Sequence, residues 1–168
     1  MSRESRDLTE GPAKRVMSKP NRDSWMELAL AEASKAAGAG EVPVGAVAVV
    51  ENRLVAADHN RSRELDDPTA HAEILVLRQA GRTLGNYRLN GLALYVTLEP
   101  CSMCAGAMIW ARIENLVFGA WDQKAGAVVS KASLLEKGRF NHTVLWEGGV
   151  LEERCQALLQ DFFQELRG

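Results

Sequence analysis

Residues 68–80 read PTAHAEILVLRQA, and residues 97–113 read TLEPCSMCAGAMIWARI. Both stretches are apolar and helix-like, yet each carries polar groups of a particular kind: His71 and Glu73 in the first, Cys101 and Cys104 in the second. Two cysteines three residues apart at the first turn of a helix point the same way. Helix N–H groups and the positive end of the dipole favour thiolates there. Proline at position 100 suits a helix start, where its missing N–H costs little. Two cysteines and a histidine are good zinc ligands and leave a fourth position open. Glu73, two residues from His71, supplies a carboxylate suited to proton transfer beside a metal-bound water.

Working outward, the chain alternates helix and strand. A helix is expected from a cap at Asp23 or Ser24, with Trp25, Leu28, Ala29, Ala33 and Ala36 on its apolar face and Gly38 and Gly40 ending it. Two β-branched runs flank Glu51 and Asn52, which predicts a hairpin. Pro43 and Gly45 mark an edge, a bulge or a place where something approaches the backbone. Residues 60–69 form a polar loop, with Thr69 as cap for a helix over 70–80. A buried strand over 92–98 leads to a second helix ending near 112. A strand follows, ending at Gly119, then a glycine-spaced loop, a short helical piece near Leu134, a short strand and an amphipathic helix over 151–166. This order implies an α/β fold with a partly parallel sheet and helices on both faces.

The bulk numbers are compatible with one domain. The 168 residues are 46% hydrophobic and 25% charged, with net charge -2. That gives no sign of a strongly basic nucleic-acid module but does not exclude nucleic-acid binding, because a local groove can be positive on a neutral protein. No apolar run is long enough for a membrane span. Residues 1–20 read as a disordered polar tail without a signal-peptide core, with Met17 as an alternative start, and the domain proper as 21–168. Three cysteines without an export signal point to a reducing cytoplasm, where a close pair binds metal or is redox-active.

Two other readings of the pair stand beside a catalytic zinc site. One is a redox Cys-x-x-Cys. The other is a structural zinc site completed by Cys155, His59 or His142. The combination His-x-Glu followed by Pro-Cys-x-x-Cys is more specific than its parts and is a signature of zinc nucleobase deaminases. Together with EVPVGAV (41–47), DPTAHAE (67–73), NYRL (86–89), LYVTLEPCSMCAGAMI (94–109), VFGAWDQKAGA (117–127), Asn141-His142 and LLQDFF (158–163), it makes the chain resemble the cytidine-deaminase-like superfamily. Within that superfamily it resembles the bacterial tRNA-specific adenosine deaminases.

The resemblance implies a three-layer α/β/α sandwich with a five-stranded mixed sheet, assembled as a homodimer. It implies one Zn²⁺ per subunit on His71, Cys101 and Cys104, with Glu73 as proton shuttle. Zinc hydroxide attacks C6 of adenine and yields inosine at wobble position 34 of an arginine tRNA. The partner is the tRNA anticodon stem-loop. Substrate contacts carried over are Asn60 on the base, Val44 and Ala72 in the pocket wall, and Asp122, Lys124, Asn141, His142 and Phe163 toward RNA. His59 and Trp121 depart from the family pattern, which has an aromatic and a basic residue there, and the C-terminus is less basic than in several members. The metal site does not choose the base, so a small-molecule guanine or cytosine deaminase, and a non-catalytic zinc-stabilised RNA-binding domain, are the alternatives.

Overall fold

The computed structural model describes residues 19–168. The tail expected over 1–20 lies outside them except for Lys19 and Pro20, which already belong to the first helix. The elements are α1 (Lys19–Gly38), β1 (Gly45–Val50), β2 (Arg53–His59), α2 (Ala72–Leu84), β3 (Ala93–Leu98), α3 (Ser102–Ala111), β4 (Asn115–Ala120), β5 (Leu145–Glu147) and α4 (Glu152–Arg167). The five strands form one sheet in the order β2-β1-β3-β4-β5. β1 runs antiparallel to β2 and β3, while β3, β4 and β5 are mutually parallel. The mixed sheet is the one expected.

Strand alternation divides the core in two. Ala46, Ala48, Leu94, Val96, Leu116 and Phe118 point to one face and pack with α2 and α3. Val47, Val49, Tyr95 and Val117 point to the other and pack with α1 and α4. This period-2 division produces the three layers. Among the described residues, no helix is long and apolar enough to cross a membrane.

Several local expectations change. On α1 the buried stripe is Met26, Ala29, Leu30, Ala33 and Ala36, whereas Leu28 is exposed. The buried face therefore extends toward Met26 and Leu30 instead of Leu28, and the helix begins before Asp23. Thr69 does not cap α2. Its hydroxyl donates to Asp67 Oδ1, while Ala72 N–H at the helix start donates to Asn60 Oδ1 at 2.8 Å. A residue from the end of the hairpin thus caps a helix twelve positions away. The segment near Leu134 is a chain of turns and not a helix, because Lys131 N–H and Leu134 N–H donate to the carbonyls of Gly126 and Ala127.

The hairpin turn matches expectation. Glu51 (φ 49°) and Asn52 (φ 60°) are both left-handed, as a two-residue turn of this kind requires. Gly45 is where α1 meets the sheet. A Cβ there would lie 2.0 Å from Ala29 O and 2.4 Å from Ala33 N, both backbone atoms. Gly45→Ala is expected to destabilise the fold by about 3 kcal/mol through overpacking. Urea unfolding checks this, and an unchanged midpoint would contradict the close approach.

Candidate metal centre and its pocket

The centre forms where three chain segments converge on one end of the sheet. His71 is the N-cap of α2, with extended backbone (φ -73°, ψ 152°). Cys101 is the N-cap of α3, also extended, and Cys104 lies one turn inside. Parallel strands β3 and β4 set α3 over the same sheet face as α2. His71 Nδ1 is 3.6 Å from Cys101 Sγ and 3.5 Å from Cys104 Sγ. Tetrahedral zinc with Zn–S of about 2.3 Å and Zn–N of about 2.0–2.1 Å requires N···S separations of about 3.5 Å. The donor set and its spacing therefore fit zinc. Among the described residues, this group contains three His, Cys or acidic donors within mutual reach.

The electrostatics suit a cation. In the metal-free protein, a hydrogen bond from Cys104 holds the Cys101 thiol at about 4, with His71 adding to the effect. The same contact, reinforced by burial, keeps Cys104 protonated. The hydrogen bond with Cys101 raises His71, against its partial burial. Metal binding must therefore displace the Cys104 proton. Burial pushes Glu73 above the usual carboxylate range, and only 4% of this residue is exposed.

A pocket of about 200 Å³ opens beside the donors. Glu73, His71 and Cys101 line one side, Val42, Val44 and Asn60 another, and Leu98, Glu99, Asp122 and Ala125 the rest. This is smaller than the roughly 300–1,000 Å³ usual for drug-sized ligands and suits one base. A larger groove of about 920 Å³ between α2 and α3 carries none of these residues.

Of the positions expected at the site, Val44, Asn60, His71, Glu73, Cys101 and Asp122 meet in this pocket, with Cys104 at the metal donors behind it. Ala72 is wholly buried at the start of α2 and acts there through its N–H to Asn60. Lys124 sits on the exposed edge of the loop after β4, its N–H on Asp122 Oδ1. Asn141 is exposed, and His142 Nε2 donates to Ile113 O at 2.8 Å. Phe163 is on α4, edge-on to Phe162. None of these four lines the pocket.

The candidate fourth zinc ligands are also elsewhere. Cys155 packs where a Gly119 Cβ would be, His142 is tied to Ile113, and His59 Nδ1 contacts Glu32 Oε2 at 2.9 Å. Glu32, Asp58 and His59 form a second buried polar group. Lys35 pairs with Glu32, and Arg61 and Gln79 pair with Asp58. The group therefore joins α1, β2 and α2 as a clamp whose carboxylates already have partners. Trp121, where a basic residue was expected, packs edge-on against Phe118 at 5.0 Å.

Glu99 was missed. Its carboxylate accepts N–H groups from Asp122 (3.1 Å), Val128 (3.2 Å), Val129 (2.9 Å) and Ser130 (3.0 Å), and the Ser130 hydroxyl. Burial opposes its ionisation, but these hydrogen bonds prevail and hold it below its ordinary value. The available signal was an acid ending an apolar strand just before Pro100 and Cys101.

Residues 20–167 match the MafB19-like deaminase family. The chain is 48% identical over 143 residues to the tRNA-specific adenosine deaminase of Bacillus subtilis, covering 85% of this chain and 89% of that one. It is 47% identical over 146 residues to the Aquifex aeolicus counterpart, covering 87% and 96%. A solved structure from work on A-to-I editing by tRNA:A34 deaminases at the wobble position superposes with a TM-score of 0.79 at 48% identity, covering 81% of this chain and 99% of that one. A guanine deaminase from Nitrosomonas europaea superposes at 0.74 with 26% identity, covering 88% and 86%. With nearly half its residues shared along most of its length, and with the metal donors converging as that similarity requires, the chain belongs to the tRNA-specific adenosine deaminase family.

Proposed function

We propose that the protein hydrolytically deaminates adenosine to inosine at wobble position 34 of an arginine tRNA. One observation carries the reading: three zinc-type donors and a buried carboxylate meet at the wall of a pocket sized for a single base. Zinc there supplies a Lewis acid able to bring a water's pKa toward neutrality.

The chain's own residues do the rest. The Glu73 carboxylate takes a proton from the attacking water and gives it to the ring nitrogen, then takes the remaining proton of the hydroxyl added at C6 and gives it to the amino group, which leaves as ammonia. Burial raises its pKa above the ordinary carboxylate value, which makes it a stronger base toward the water proton. Asn60 has its Oδ1 occupied by Ala72 N–H, so its remaining amide donors serve the base. Val42 and Val44 exclude water from that side. Asp122 bounds the pocket, and Lys124 and Asn141 lie at exposed positions that suit RNA contacts. His142 and Phe163 are contacts for more distant parts of the RNA.

Incubation with arginine tRNA followed by sequencing should show adenosine 34 read as inosine. No conversion by protein with verified zinc would overturn the reading. If about four phosphates are neutralised, log affinity should fall with log salt with a slope near -3. The likeness to a guanine deaminase favours one rival: ammonia release from free guanine without response to tRNA would select it.

A homodimer and a cytoplasmic location accompany the reading. The groove between α2 and α3 is flanked by Trp110, 84% exposed, and Tyr87, 78% exposed. That is an unusually apolar surface to leave in water. Light scattering at micromolar concentration should give twice the chain mass, and a monomer mass would contradict the dimer. The free thiols at the centre need a reducing compartment to hold a metal.

A further inference from the structure

We propose that Glu99 is a positioning residue: its carboxylate acts as an internal anion that locks the loop after β4 into the wall facing the base. The proposal rests on the deaminase reading for its functional consequence, but the lock itself is geometric.

Glu99 directly follows β3, two residues before Cys101, and is 2% exposed. One oxygen, Oε2, accepts three consecutive N–H groups, from Val128, Val129 and Ser130. The other accepts Asp122 N–H and the Ser130 hydroxyl. Successive N–H groups converging on one acceptor make an anion-binding concavity. Here the anion is part of the protein.

The same loop is held twice more: Ala127 N–H donates to Pro100 O at 2.8 Å, and Gly126 N–H to Asp122 O at 2.9 Å. Gly126 passes so close that a Cβ would lie 2.3–2.5 Å from the Glu99 carboxyl atoms. Asp122 and Ala125, held from behind, line the base pocket, and so does Glu99. Lys124, between them, is carried at the exposed edge.

Glu99 touches neither the donor atoms nor Glu73 through any of these bonds. It acts by fixing where the wall stands, so its loss should weaken substrate placement more than metal binding or proton transfer. Glutamine has the same shape but replaces one acceptor oxygen with an NH₂ group facing N–H donors. Aspartate keeps the charge and draws it back by one methylene.

The test uses the full chain loaded with zinc. Glu99→Gln should raise KM for arginine tRNA by about 10- to 100-fold, the scale expected when a positioning contact is lost. Its kcat should change by only a few-fold, and zinc should stay at one per chain. Glu99→Asp should fall between the variant and wild type. Amide hydrogen exchange at Val128, Val129 and Ser130 should accelerate in Glu99→Gln.

If Glu99→Gln does not fold, Gly126→Ala, which pushes the loop off the carboxylate from the other side, carries the same expectations. Unchanged KM in an active enzyme overturns the proposal. So does a joint loss of zinc, kcat and KM, which would make Glu99 a support of the metal centre. Unchanged exchange at 128–130 overturns the lock. If wild type fails to edit tRNA, the function reading falls, and the exchange experiment still decides the lock.

Discussion

Replacing Glu73 with alanine lowers deamination by about 10²- to 10⁴-fold while metal and RNA stay bound; this is the expected result if the carboxylate moves protons. Glu73 is buried at the pocket wall next to His71 but is not among the three grouped donors. Removing it takes away the buried pocket carboxylate two residues from His71. It leaves His71 Nδ1 and the two sulfurs where they are. Zinc content by atomic absorption and RNA affinity by filter binding should therefore match wild type. Glu73→Gln, which keeps the shape, should be nearly as inactive. Substantial activity in either variant would reject the shuttle, and loss of zinc in both would recast Glu73 as part of the ligand scaffold.

Removing a metal ligand should have the larger effect on the molecule as a whole. Cys101→Ala, Cys104→Ala or His71→Ala leaves two donors where the spacing was set for three. Activity should drop by about 10³-fold or more, because the Lewis acid contributes several kcal/mol and each 1.36 kcal/mol is tenfold. A strong chelator should do the same to wild type, and added zinc should restore it. Zinc that binds only the folded state also stabilises it, by about 2.7 kcal/mol at 100 times its Kd. Calorimetry should therefore show a lower Tm after chelation. A chelated protein that still deaminates would end the metal reading, and a redox role for the cysteine pair would then return.

The donor group and its neighbouring carboxylate were legible because they are encoded locally. His71 and Glu73 are two residues apart, and Cys101 and Cys104 are three apart, each pair at a helix start. Three-residue spacing at a helix start puts the two sulfurs on one side, whatever the rest of the chain does. The hairpin was legible for the same reason: the turn at Glu51 and Asn52 sits between two β-branched runs.

Less legible were features set by partners far along the chain. Helical spacing over 25–36 put Leu28 on the apolar face and left Leu30 off it. Contact with Val47, Val49 and Tyr95 buries Leu30. The start of α2 was misplaced because its cap is Asn60 and not Thr69, and Thr69 was already taken by Asp67.

The amino-acid sequence determined which metal-type donors and which neighbouring carboxylate stand at the helix starts, and the alternation of helix and strand, since periodicity and short spacing express bonding geometry within a few residues. Tertiary structure alone decided that Cys155, His59 and His142 stay away from the metal, that Asn60 crosses to cap α2, and that Glu99 gathers a loop about thirty residues downstream. Those pairings depend on how the parallel strands bring their ends together, and a buried polar group takes whichever distant partner that packing supplies, since leaving it unpaired in the interior costs more than closing the intervening loop.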